Sequence, residues 1–183
     1  MFDKVSLVEQ NILTTKVSKI VPANYDKINI IALENYYYKN FQNNSEWSYL
    51  KDYLNLDDDK NVTWIGDFIR DHYRLKFEKT PVLLNKAGIV IPQGHLINYH
   101  HHIDEYDLHD NSSDISAIVT CKTGDKPSFI QFEYEQGRKR HHTYRKQLKE
   151  KEVVIFNSEL RHCYTVNPNQ EPNIILSFRF QLV

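Results

Sequence analysis

Two spacings of apolar residues divide the chain near Pro81. Upstream, residues 1–25 alternate loosely between apolar and polar, with Ile12, Val17 and Ile20 on the apolar beat, which predicts extended segments. Ser45 then stands ready to cap a helix over residues 46–54, where Trp47, Leu50 and Leu54 recur on one face with Tyr53 at its edge. Residues 56–60 read as a turn. Its three aspartates lack the glycine and the spaced oxygen ligands of a calcium loop, so the turn is expected to be a solvated one. A second helical pattern follows from a Thr63 cap through Trp64, Ile65, Phe68, Ile69, His72 and Tyr73.

Downstream the period changes. Residues 82–84, 89–91, 96–102, 115–120, 129–134, 153–156, 163–166 and 174–180 are short runs rich in β-branched and aromatic residues. Gly88, the Pro92-Gln93-Gly94 turn and polar loops separate them. Many short strands after helices predict a mainly β fold, an antiparallel sandwich or barrel with N-terminal helices packed outside. Without a repeat or a linker to divide it, the chain is expected to be a single domain, 1–183, with residues 1–80 supporting a core of residues 81–183. The segment 137–151 is locally basic and is expected to be a solvated loop between two strands.

Composition narrows the function classes. Lys and Arg number 23 against 24 Asp and Glu, a formal charge of -1, so no global field draws the protein to nucleic acid or an anionic membrane. Hydrophobic residues at 40% supply a core without a covalent staple. Cys121 and Cys163 are the only cysteines, weak evidence for a disulfide framework, and Cys163 is expected to be a packed thiol. The first residues carry no apolar run of signal-peptide length, and a soluble protein of the cytoplasm is expected.

The chemistry concentrates in residues 95–110, HLINYHHHIDEYDLHD. In a strand, side chains two apart share a face, so His100, His102 and Asp104 can converge while His101 points away. Two imidazoles and a carboxylate suit iron(II) and leave the opposite coordination positions open. A third ligand would come from another strand. His162, at the start of an apolar run near the C-terminus, is the candidate.

Over residues 86–180 the sequence resembles the 2-oxoglutarate and iron(II)-dependent oxygenases, in particular a branch of small bacterial and phage members. Gly94 precedes His100-His101-His102, Ser116 lies near the start of DISAIVT, and VVIFNSELRH ends on His162. Asn167-Pro168-Asn169 and then Ser177-Phe178-Arg179-Phe180 complete the order. The resemblance implies a double-stranded β-helix, the cupin-like jelly roll, with Fe(II) and 2-oxoglutarate as cofactors and hydroxylation coupled to decarboxylation of 2-oxoglutarate. It carries the distal iron ligand onto His162. The proximal pair stays open: the general H-x-D motif matches His102 with Asp104, and the branch's H-x-H matches His100 with His102. Iron chemistry favours Asp104, whose charge offsets the metal's, with His100 then behind the ligands or facing the substrate.

Two departures stand out. The branch carries an arginine for the far carboxylate of 2-oxoglutarate where this chain has Asn173, and a neutral amide cannot make the bidentate contact. Arg179 shares a strand face with Asn173 and is the expected substitute, ahead of Arg161. Residues 105–114 are an inserted polar loop, placed for substrate contact at a barrel rim. Tyr99, Tyr106 and Tyr164 are candidate pocket donors, Tyr99 for the cofactor. The expected partner is a small-molecule or peptide substrate, favoured by the basic loop to carry a carboxylate or phosphate, with neither nucleic acid nor membrane. Alternatives are a cupin-type isomerase or dioxygenase without 2-oxoglutarate, its metal on His100, His102 and His162, and a metal-free β-sandwich binding module.

Overall fold

A computed structural model describes residues 3–7, 10–16, 60–102, 112–135 and 141–183. The predicted helix over 46–54, Val17, Ile20, Asp104, Tyr106 and the greater part of the 105–114 loop lie outside these residues. In chain order the elements are β1 (Asp3–Leu7), β2 (Gln10–Lys16), α1 (Lys60–Phe77), β3 (Pro81–Ile91), β4 (Ile97–His100), β5 (Ile115–Lys122), β6 (Phe129–Glu135), β7 (His141–Gln147), β8 (Glu152–Asn157), β9 (His162–Tyr164) and β10 (Asn173–Leu182). None of the described helical residues forms a segment long and apolar enough to cross a membrane.

The strands form two antiparallel sheets. One runs β1-β2-β8-β5-β10-β3 and the other β4-β9-β6-β7. From β3 onward the eight strands wind between the sheets, four to each, and this is the double-stranded β-helix. The two N-terminal strands extend the larger sheet through β2, which pairs with β8 from Leu13 opposite Ile155 to Lys16 opposite Glu152.

Burial explains the sequence patterns. Strands β5, β8 and β10 are buried on both faces, and so they read as nearly unbroken apolar runs. On their outer face α1 packs Val62, Ile65, Phe68 and Ile69 against Leu176 and Phe178. On their inner face Ile118, Val154 and Ile175 meet Ile130, Phe132 and Tyr164 of the smaller sheet. The smaller sheet has one wet face, so β6 and β7 alternate.

Three expectations change. Thr63 does not cap α1, which begins at Lys60; its hydroxyl accepts a hydrogen bond from Lys86 Nζ at 3.0 Å. Gly88 does not break β3 but pairs with Leu176 inside it. The basic segment is not simply a loop. His141–Gln147 forms a strand because His142, Tyr144 and Lys146 alternate with exposed His141, Thr143, Arg145 and Gln147, and the inward set faces the barrel. Gly94 does turn the chain, at φ 76°, where a side chain would be strained.

Candidate metal centre

Three histidines meet at one end of the barrel. His100 lies at the end of β4 directly opposite His162, the first residue of β9, and His102 follows β4 by two residues. One ligating nitrogen from each of the three lies within 4.8 Å of the others. Ring centroids stand 4.2 Å apart for His100 and His162 and 4.7 Å for His102 and His162. Phe132, opposite His162 on β6, and Phe156 on β8 pack against the His162 ring at 6.0 and 4.8 Å.

The other ring nitrogen of each histidine is engaged. His162 Nδ1–H donates to the Leu160 carbonyl at 2.9 Å, and His100 Nδ1–H donates to the Asn98 carbonyl at 2.8 Å. A carbonyl can only accept, so the proton sits on Nδ1 and the lone pair on Nε2 in both rings. His102 Nδ1 lies 2.7 Å from the Ser116 hydroxyl, which lies 2.8 Å from the Ser158 hydroxyl. Metal-binding histidines are held in this way, through the nitrogen that does not ligate.

Burial favours the neutral form of the His162 and His100 rings. It pushes the His162 imidazole down to about 3, with His100 and Arg179 adding to the effect and the Leu160 carbonyl opposing it. His100 is lowered too, first by burial, against the Asn98 carbonyl, and further by Arg179 and His101. His162 is fully buried, and its Nε2 has no hydrogen-bond partner among the described residues. A bare, buried lone pair among two more imidazoles is the donor set of a transition metal, and the residues fit such an ion.

Arg179 belongs to the same end. It lies opposite Ser116 in the β10–β5 register, and opposed residues share a face, so its side chain enters the barrel beside the centre. Asn173, six residues back along β10, is roughly 20 Å away at about 3.3 Å per residue. Its Oδ1 accepts from Thr123 Oγ1 at 3.1 Å, while its buried Nδ2 has no partner among the described residues. The structure thus brings Arg179 to the histidines and leaves Asn173 buried at the opposite end of β10. Ser177 and Tyr164, both buried on inner faces, lie nearer the centre, with the Tyr164 ring 6.2 Å from His162.

Tyr99 is placed elsewhere. It occupies the outer face of the smaller sheet, where it accepts a hydrogen bond from Gln131 Nε2 and lies 5.5 Å beneath the Arg161 guanidinium. Arg161 also turns outward and pairs with Glu133 at 2.9 Å. Cys163 shares this face beside Tyr99, and burial raises its thiol. The Asn-Pro-Asn turn is structural: Asn167 Nδ2 donates to the carbonyls of Ile91 and Glu171 at 2.9 and 2.8 Å. Ser158, not singled out from the sequence, sits within the FNSELRH stretch, where a hydroxyl four residues before a ligand was the available signal.

No family model and no curated protein matches the sequence. Solved structures do share the fold. The non-heme alpha ketoglutarate dependent carbocyclase SnoK from nogalamycin biosynthesis superposes with a TM-score of 0.66 at 9% identity, covering 94% of this chain and 79% of that one. HygX from Streptomyces hygroscopicus, solved with nickel and 2-oxoglutarate bound, gives 0.62 at 9% identity over 93% of this chain and 81% of its own. EctD from S. alaskensis, solved with 2-oxoglutarate and 5-hydroxyectoine, gives 0.60 at 9% identity, with 92% and 71% covered.

Proposed function

We propose that this protein is a non-haem iron(II) oxygenase that couples decarboxylation of 2-oxoglutarate to hydroxylation of a small-molecule or peptide substrate. The observation that carries the reading is the convergence of the His100, His102 and His162 nitrogens within 4.8 Å at one end of a double-stranded β-helix. Fold-sharing proteins described as alpha ketoglutarate dependent, or solved with 2-oxoglutarate, support the choice of cosubstrate. Bound iron(II) would supply oxygen activation at its open coordination positions, with 2-oxoglutarate as reductant.

The chain's own residues do the rest. His100, His102 and His162 present ring nitrogens held from behind, and burial favours the neutral form of His100 and His162. Asp104, two residues past His102, remains a candidate carboxylate ligand on its sequence position. Arg179 offers a planar cation to a carboxylate of the cosubstrate, and Tyr164 and Ser177 offer hydroxyls on the inner wall. The apolar interior of Ile118, Val154 and Ile175 excludes water beneath the centre. Arg138, Lys139, Arg140 and Arg145, in and before β7, suit a substrate bearing a carboxylate or phosphate.

A second reading is a cupin-type metalloenzyme without 2-oxoglutarate. Three imidazoles in the cluster and an asparagine at 173 favour it.

The ligand set is tested by anaerobic iron(II) titration of single alanine variants. His162→Ala should abolish stoichiometric binding in a folded protein, and unchanged affinity would move the site elsewhere. A larger loss for His100→Ala than for Asp104→Ala would assign the third position to His100; the reverse ranking would assign it to Asp104.

A further inference from the structure

We infer that Ser116 and Ser158 are positioning residues for the metal centre, holding the His102 ring through a relay of two hydroxyls that can take up its Nδ1–H bond and leave Nε2 to ligate. The inference rests on the metal-binding reading above and concerns how one ligand is held.

The three histidines are not held alike. His100 and His162 face carbonyls, which can only accept, so their Nδ1 protons are fixed. His102 faces a hydroxyl, which can donate or accept. With Ser116 donating to His102 Nδ1, the ring proton moves to Nε2 and blocks the ligating lone pair. With Nδ1–H donating to Ser116 and Ser116 donating onward to Ser158, Nε2 is bare. Ser158, at 2.8 Å from Ser116 Oγ, can accept in the second arrangement as well as donate in the first, and a metal on Nε2 would draw the relay to the second.

Both serines are fully buried, so water does not substitute for either hydroxyl. The fold fixes them independently of any ligand. Ser116 is paired on both sides, with Phe156 of β8 and Arg179 of β10. Ser158 follows β8, where its carbonyl accepts from the His102 backbone N–H at 2.9 Å and its own N–H donates to the Asp114 carbonyl at 3.0 Å. Ser113 Oγ donates to the His102 carbonyl at 3.0 Å. The His102 backbone is therefore held by contacts that survive loss of the Ser158 hydroxyl, and the hydroxyl reaches the ring through Ser116.

The test is cobalt(II) titration, followed by calorimetry and by the visible ligand-field bands, on the parent and on Ser116→Ala, Ser116→Thr, Ser158→Ala and His162→Ala. Loss of a group that holds a ligand lowers metal affinity by roughly 10 to 100-fold. Ser116→Ala should show that loss with altered bands, Ser158→Ala a smaller loss in the same direction, and Ser116→Thr, which keeps the hydroxyl, near-parent affinity. The unfolding midpoint of the metal-free Ser158→Ala protein should stay close to the parent's, which separates positioning from support of the fold. Parent-like affinity and bands in Ser158→Ala would overturn the relay, even where Ser116→Ala fails to fold. If His162→Ala also bound cobalt like the parent, the metal centre itself would be refuted and the inference would fall with it.

Discussion

His162 shows how much chemistry one buried side chain can carry. A histidine titrating at about 3 in the folded protein takes up a proton far more readily when the chain unfolds, near the ordinary 6.5. Between those values the unfolded state binds more protons, so stability rises with pH, and it is lost progressively as pH falls from about 6.5 toward 3. His100 shifts in the same direction. Urea midpoints of the metal-free protein should therefore drop steadily from pH 7 to pH 4, and His162→Gln should flatten the slope. A midpoint independent of pH over this range would contradict the buried, neutral state. At Arg179 the expected result is separation of two affinities: Arg179→Lys weakens 2-oxoglutarate binding, Arg179→Ala weakens it further, and iron affinity stays nearly unchanged. Calorimetry in which both variants bind 2-oxoglutarate like the parent would remove the arginine from the site. At this scale the sequence was legible wherever a motif and strand parity agreed. His162 stood in FNSELRH, and His100 and His102 share parity. Tyr99 has the opposite parity, the physical reason it lies outside. The serine relay was invisible because Ser116 and Ser158 meet only through the β5–β8 pairing.

Among the elements, β7 is the one that patterning left ambiguous. Four of the seven residues in HHTYRKQ are histidine, arginine or lysine, and that polarity disguised an alternation that packing resolves. Tyr144, partly buried and stacked on Phe132 at 6.4 Å, looks into the barrel, whereas Thr143 is exposed. Tyr144→Ala should lower stability by more than about 1 kcal/mol and Thr143→Ala by less than about 0.5 kcal/mol, read from denaturant unfolding. Equal small effects would indicate that the segment does not pack as a strand. The doubly buried strands were easier. β5, β8 and β10 announced themselves as continuous apolar runs because α1 and the smaller sheet cover both of their faces. Strand ends and the start of α1 were less legible, since Thr63 serves Lys86 across a gap of 23 residues that no local pattern reveals.

Across the whole molecule, the winding of eight strands between two sheets gathers a centre that no sequence window contains. His100, Ser116, Ser158, His162 and Arg179 span most of the core, yet the pairings of β4 with β9, β5 with β8 and β5 with β10 bring them to one end. The order of the motifs pointed to the fold, and the asparagine at 173, at the far end of β10 from Arg179, makes the cosubstrate the point to test. Anaerobic titration of the iron(II)-reconstituted protein with 2-oxoglutarate tests it directly. Chelation should produce a weak visible charge-transfer band that saturates at one equivalent per iron. Iron bound stoichiometrically, with no band at saturating 2-oxoglutarate, would contradict the account and leave the cupin-type reading in its place.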